Sequence, residues 1–231
     1  MNSVEKIIIQ QYLSGQQPFE YLDTNRYSTL VAGLRDCRIN SKRKVEDGKY
    51  DPEIKHGDEG NWLACIGYFT VLDQIGSCFK PLGELEPAIN YKSIKFAIEK
   101  FGFDLIDNNE KQLHALIALR NAFTHDFNLL NIPENSRLYD LQRHKFTVKA
   151  RIESWIVKLP KEPWDGNIDE KDFFKTSDTT FVNLFAFGQL VESIYKRICD
   201  LHSENKLELR LPTKTLINKY TFITSDHPIN K

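Results

Sequence analysis

Residues 120–125 read Arg-Asn-Ala-Phe-Thr-His, and this short segment holds the residue types best suited to act together on a substrate. Arg120 is a permanent cation whose planar fork of donors matches a phosphate. His125 carries an imidazole whose ordinary pKa lies near neutrality, so it can give or take a proton. Asn121 adds an amide that both donates and accepts. Phosphodiester cleavage uses these parts: one group to stabilise charge at phosphorus, one to position it, and one to move a proton. Elsewhere the chain shows no Gly-rich phosphate loop, no serine nucleophile elbow and no His-Glu-x-x-His pair.

The element that must position these groups is a helix over residues 108–125, with Asp107 placed as its N-cap. At about 100° per residue, Leu113, Leu116, Ile117, Leu119 and Phe123 fall in one arc of roughly 160°. Arg120 projects from within that arc. Asn121 and His125 share the neighbouring flank, Thr124 lies between them and Arg120, and Asp126 follows the imidazole; Thr124 and Asp126 are supporting residues. A guanidinium among apolar neighbours cannot shed its proton, so it must meet an acceptor. A carboxylate elsewhere in the fold, backbone carbonyls, a second subunit or a ligand phosphate would each serve. The plainest alternative to a nuclease site is an internal ion pair for Arg120, with His125 interacting only with the carbonyls at the helix end.

The string RNAFTH, within LHALIALRNAFTHDFNLL, resembles the defining motif of the HEPN superfamily: an Arg separated by four to six residues from a His, with a polar residue after the Arg. Asn121 stands in that polar place. The resemblance covers about a dozen residues, and the preceding apolar run WLACIGYFTVLDQIG suits the family's antiparallel helical bundle. It implies a helical domain that dimerises through the motif helix, so that two copies face one cleft, and in many members a metal-independent ribonuclease. His125 would then be the general acid or base at the ribose 2′-hydroxyl or the leaving oxygen. Arg120 would stabilise the pentacoordinate phosphate, and Asn121 would position the phosphate or orient His125. No cofactor is implied. RNA is the expected partner, with a toxin or stress and phage-defence role and an antitoxin or regulatory partner. Other members are catalytically silent modules that bind a nucleotide or a protein. In members silenced by a nucleotidyltransferase a Tyr can stand two residues after the His, whereas this chain has Phe127.

The rest of the chain reads as mainly α, with a small β-hairpin or sheet in the C-terminal half, over a single domain of residues 1–231. Helices are expected over residues 3–13, closed by Gly15; over 18–44; over 61–79, as a central buried helix ended by Pro81 and Gly83; over 91–101; and over 179–203. Residues 44–60 read as an exposed loop. A β-prone insertion at 142–160 contains Phe146-Thr147-Val148 and Trp155-Ile156-Val157, and a C-terminal tail at 207–231 adds one or two strands. The basic run Arg35, Arg38, Lys42, Arg43 and Lys44 could guide an RNA backbone, or it is a solvated helix end.

Composition restrains these readings. With 31 Lys and Arg against 32 Asp and Glu, no overall field draws the 231-residue chain to nucleic acid or a membrane, so any RNA binding is local. Apolar residues at 41% and charged residues at 27% match an ordinary globular protein. Cys37, Cys65, Cys78 and Cys199 show no metal spacing and read as reduced core thiols. The N-terminus lacks a signal-peptide pattern, so a cytoplasmic location is expected, with no membrane span.

Overall fold

The structure is a computed structural model, and it describes residues 3–15, 26–49, 62–88, 92–106, 110–126, 128–132, 143–150, 153–168 and 175–223. Among the described residues the chain is mainly helical. In order, the elements are α1 (Ser3–Ser14), β1 (Arg26–Ser28), α2 (Thr29–Asn40), α3 (Trp62–Cys78), β2 (Phe79–Pro81), α4 (Ser93–Phe101), α5 (Glu110–Asp126), β3 (Leu130–Asn131), β4 (His144–Lys149), β5 (Val157–Lys158), β6 (Thr179–Asn183), α6 (Leu184–Ser203), β7 (Leu207–Leu209), α7 (Thr213–Tyr220) and β8 (Thr221–Ile223).

The most apolar run becomes the hub. A helix that is hydrophobic nearly all round must be covered on most sides, and α3 packs against α2, α4, α5 and α6. Its two polar residues near the middle, Asp73 and Gln74, are both satisfied. Gln74 donates to Tyr12 Oη and, at 2.6 Å, to Thr29 Oγ1, which in turn donates to the Tyr220 carbonyl at 2.8 Å. The approach of α4 is close: a Cβ added at Gly76 would lie 1.9 Å from the Ser93 carbonyl oxygen. No helix among the described residues is long and apolar enough to cross a membrane. All four cysteines are free thiols. Burial pushes Cys37 and Cys78 up to about 12, which suits core packing and not nucleophilic chemistry.

Two expectations need correction, and a third that left two forms open is decided. The helix expected over 18–44 is shorter, because Arg26–Ser28 pairs antiparallel with Thr221–Ile223 and Ser28 caps α2 by accepting from the Val31 N–H at 3.3 Å. Residues 16–25 and 50–61, in that helix and in the following loop, lie outside the described residues, as do Asp107 and Phe127. Of the hairpin or small sheet expected for the β-prone runs, the chain forms the sheet. Both β4 and β5 pair with β6, β4 in parallel, giving a four-stranded sheet in the order β3-β4-β6-β5. A parallel pair needs a long connection, which the segment after Lys149 supplies. Finally, Thr179–Asn183 is a strand, not the first turn of a helix. The β-branched Thr179, Thr180 and Val182 suit it, and Asn183 caps α6 by accepting from the Phe185 N–H at 3.1 Å.

Through residue 223 the tail forms two strands with a helix between them, and residues 224–231 lie outside the described residues. β7 pairs with β2 and β8 with β1, so the C-terminal segment ties down the end of α3 and the start of α2. One hydrophobic cluster runs through α3, α5, α6 and the inner face of the sheet.

His144 lies on that inner face, buried, stacked on Phe146 and 2.9 Å from Thr180 Oγ1. Burial pushes its pKa down to about 4, with a smaller contribution from His114. Above the ordinary value near 6.5 both folded and unfolded forms are neutral, so its contribution is complete. Below that value the unfolded chain takes up a proton that the folded chain refuses. We expect stability to fall from pH 6.5 toward pH 4 by about 3 kcal/mol from this residue, and chemical denaturation across that range should show a flatter profile for His144→Gln. Gly76→Ala should cost about 3 kcal/mol or more, because backbone and not a flexible side chain stands in the way; a melting temperature unchanged by that substitution would contradict the packing described.

Candidate functional site around Arg120

α5 buries a broader face than its large apolar residues alone suggest. Leu113, Leu116, Leu119 and Phe123 are buried together with Ala115, Ala118 and Ala122, while Ile117, Arg120 and Asn121 are half-buried. Arg120 therefore leaves the helix at the margin of the packed face, opposite α3, where Trp62 and Phe123 bring their rings within 5.4 Å.

The acceptor it meets is a carboxylate. Arg120 Nε and Nη2 both donate to Asp73 Oδ2, at 3.0 and 2.8 Å. The other oxygen, Oδ1, accepts the Ile94 N–H at 3.2 Å. That N–H is one of the orphan donors in the first turn of α4, whose own N-cap residue, Lys92, makes no side-chain cap. Asp73 thus does for α4 what a local cap would do, and links three helices. Its side chain and that of Arg120 are 27% and 28% exposed, so the pair is partly withdrawn from water.

The pair occupies one edge of the guanidinium. The remaining nitrogen, Nη1, stands 3.5 Å from Asn121 Oδ1, at the outer limit of a hydrogen bond. Lys92 adds a second cation nearby. Partial burial and then the charge of Arg120 lower its pKa, while Asp73 raises it. Two cations share one carboxylate here, which leaves the local charge suited to an anion. Thr124 is exposed and its hydroxyl donates back to the Arg120 carbonyl at 2.9 Å, a bond within the helix. α5 extends through residue 126, so its backbone carries His125 one turn beyond Asn121 on the same flank. The side chains of His125 and Asp126 lie outside the described residues.

The basic run is placed differently. Arg38 forms a two-pronged pair with Glu192 of α6 at 2.8 and 2.7 Å, which raises its pKa, chiefly through that hydrogen bonding. Arg43 is 4% exposed, donates to the Gly48 and Phe185 carbonyls and to Gln189 Oε1, and has its pKa lowered by burial. Arg35 turns to its neighbour Asp36 at 3.3 Å, and Lys42 and Lys44 are exposed. Arg38 and Arg43 are therefore fastened to α6, not displayed along a track toward Arg120. Among the described residues no group of three His, Cys, Asp or Glu side chains could hold a metal ion.

Sequence reasoning missed Asp73 and Lys92 as companions of the motif. The available signal for Asp73 was its position as the lone charge in an otherwise apolar helix. A charge there needs a partner as much as Arg120 does.

Removing Asp73 leaves a half-buried guanidinium without a counter-charge and uncaps α4, whereas removing Arg120 leaves Asp73 still bonded to Ile94. We therefore expect Asp73→Ala to cost about 2–3 kcal/mol and Arg120→Ala about 1–2 kcal/mol in urea denaturation. Equal costs, or the reverse order, would contradict the bridging geometry.

No family model matches the chain, and no curated protein or solved structure matches it.

Proposed function

We propose that the chain is a HEPN-like, metal-independent endoribonuclease that acts as a homodimer through α5, in a toxin or defence setting with a regulatory partner. The observation that supports this reading most is the orientation of Arg120: Asp73 holds its Nε and Nη2 edge, while Nη1 turns to Asn121 and the side chain keeps 28% of its exposure. A guanidinium fixed on one edge and accessible on another is preorganised for a phosphate.

In this mechanism a base removes the proton of the ribose 2′-hydroxyl, and the resulting oxygen attacks the adjacent phosphorus. Negative charge grows on the equatorial oxygens, where Arg120 stabilises it and Asn121 supplies a further hydrogen bond. The P–O5′ bond breaks and an acid protonates the leaving oxygen, giving a 2′,3′-cyclic phosphate and a 5′-hydroxyl. His125 performs the proton transfers, and a second copy from the partner subunit allows acid and base to be separate groups. The substrate supplies its own nucleophile, so no metal is required to activate water.

A second reading has a specific observation in its favour. The Asp73–Arg120 pair satisfies the half-buried cation without any ligand, as a catalytically silent binding module or a purely structural ion pair would require.

Labelled mixed RNA, incubated with the purified protein with and without a chelator, separates the readings. The nuclease should cleave in both conditions, and His125→Ala and Arg120→Ala should each lower the rate about 10²-fold or more, with little change in the melting temperature of His125→Ala. Absence of cleavage by the unmodified protein, or activity that survives both substitutions, would sink the nuclease proposal.

A further inference from the structure

Lys92 immediately precedes α4, two residues before Ile94, whose main-chain N–H is bonded to Asp73 Oδ1 at 3.2 Å. The chain therefore begins α4 at the carboxylate whose other oxygen holds Arg120. The Lys92 ammonium is near enough to feel both groups: its pKa is lowered first by partial burial and then by the charge of Arg120, against the opposing pull of Asp73.

The other two lysines of α4 have carboxylate partners. Lys95 pairs with Glu99 at 3.5 Å and Lys100 with Glu84 at 2.6 Å. Lys92 is exposed, and among the described residues it forms no ion pair and no side-chain hydrogen bond. Asp73 spends one oxygen on two bonds from Arg120 and uses the other for the Ile94 N–H. Two cations against this one carboxylate leave a positive charge in excess. Like charges held side by side repel, and an anion placed between them relieves that repulsion.

We propose that Lys92 is a substrate-binding residue of this site, its ammonium meeting a backbone phosphate of the RNA strand that Arg120 Nη1 engages. The inference rests on the nuclease reading for the identity of the anion. An ammonium is a point charge without the directed fork of a guanidinium, so it holds the strand alike in the ground state and the transition state. Lys92 thus acts on binding and not on the chemical step.

Fluorescence anisotropy with a labelled single-stranded 2′-O-methyl RNA, whose capped hydroxyls cannot attack, tests this on the full chain across a salt series. Lys92→Gln should weaken binding about tenfold and flatten the slope of log affinity against log salt by about 0.7, the share of one single-strand phosphate. Lys92→Arg should keep both, and Lys100→Gln, the same loss of charge from the same helix, should bind as the parent does; thermal melting shows that each variant folds. On cleavable RNA, Lys92→Gln should raise KM about tenfold with kcat little changed. Loss of kcat at constant KM, a salt slope that Lys92→Gln leaves unaltered, or a parent that binds inorganic phosphate but not the oligonucleotide would overturn the assignment. A parent that binds the oligonucleotide through Lys92 yet cleaves no RNA would instead sink the nuclease reading and leave Lys92 as a backbone contact.

Discussion

The contact between Asp73 and Arg120 is the constraint on which the site depends. Arg120 cannot be neutralised, and Asp73 stands in a helix that is otherwise almost wholly apolar, so each group alone would be a costly occupant of its position. Together they satisfy each other, and the spare oxygen of Asp73 also completes the first turn of α4. One carboxylate therefore sets the relative placement of α3, α4 and α5. Because both donated bonds converge on a single oxygen, the guanidinium is oriented without being used up, and that distinction links the packing of the fold to a chemical role.

The surrounding fold serves to hold α3 still. Gly76 lets α4 come near enough for its Ile94 N–H to reach Asp73. At the far end of α3, β2 is gripped by β7, and Arg210 beside it donates to the Gly76 carbonyl and lies over Phe96 of α4. The tail returns through α7 to pair β8 with β1, so the segments that begin α2 and end α3 are clamped by the same stretch of chain. On its other side α5 leads into β3 and the small sheet, whose inner residues Phe146 and Val148 join the common core.

Much of this was legible from the residue pattern, and the misses have physical causes. Long periodic runs such as Trp62–Cys78 announced themselves, because burial on nearly all sides demands apolar residues throughout. The strand Thr179–Asn183 was hidden by direct continuation into α6: it is buried on both sides and shows no alternation, so over five residues nothing separated period two from period 3.6. Strand pairing between Arg26–Ser28 and Thr221–Ile223 joins segments nearly the whole chain apart, and no local signal carries such a register. For the site, most of the apolar arc and the need for an acceptor could be drawn from the sequence, but the buried Ala115, Ala118 and Ala122 shift the packed face and leave Arg120 at its margin, not within it. Which acceptor could not, since only the packing of α3 on α5 brings Asp73 across. The basic run misled for the opposite reason: five cations in ten residues resemble a surface track, yet Glu192 on α6 and the buried seat beside Phe185 claim two of them.

The most direct test of an oriented but unspent guanidinium is to follow the Arg120 side-chain N–H signals by 15N NMR while titrating an RNA oligonucleotide whose 2′-hydroxyls are replaced by hydrogen. The bond to Asp73 predicts an Arg120 Nε–H that is protected from exchange and stays so, together with Nη signals that shift and saturate as the phosphate docks. An Arg120 spectrum unmoved at saturating oligonucleotide, or an Nε–H that exchanges as freely as that of an exposed arginine, would contradict it.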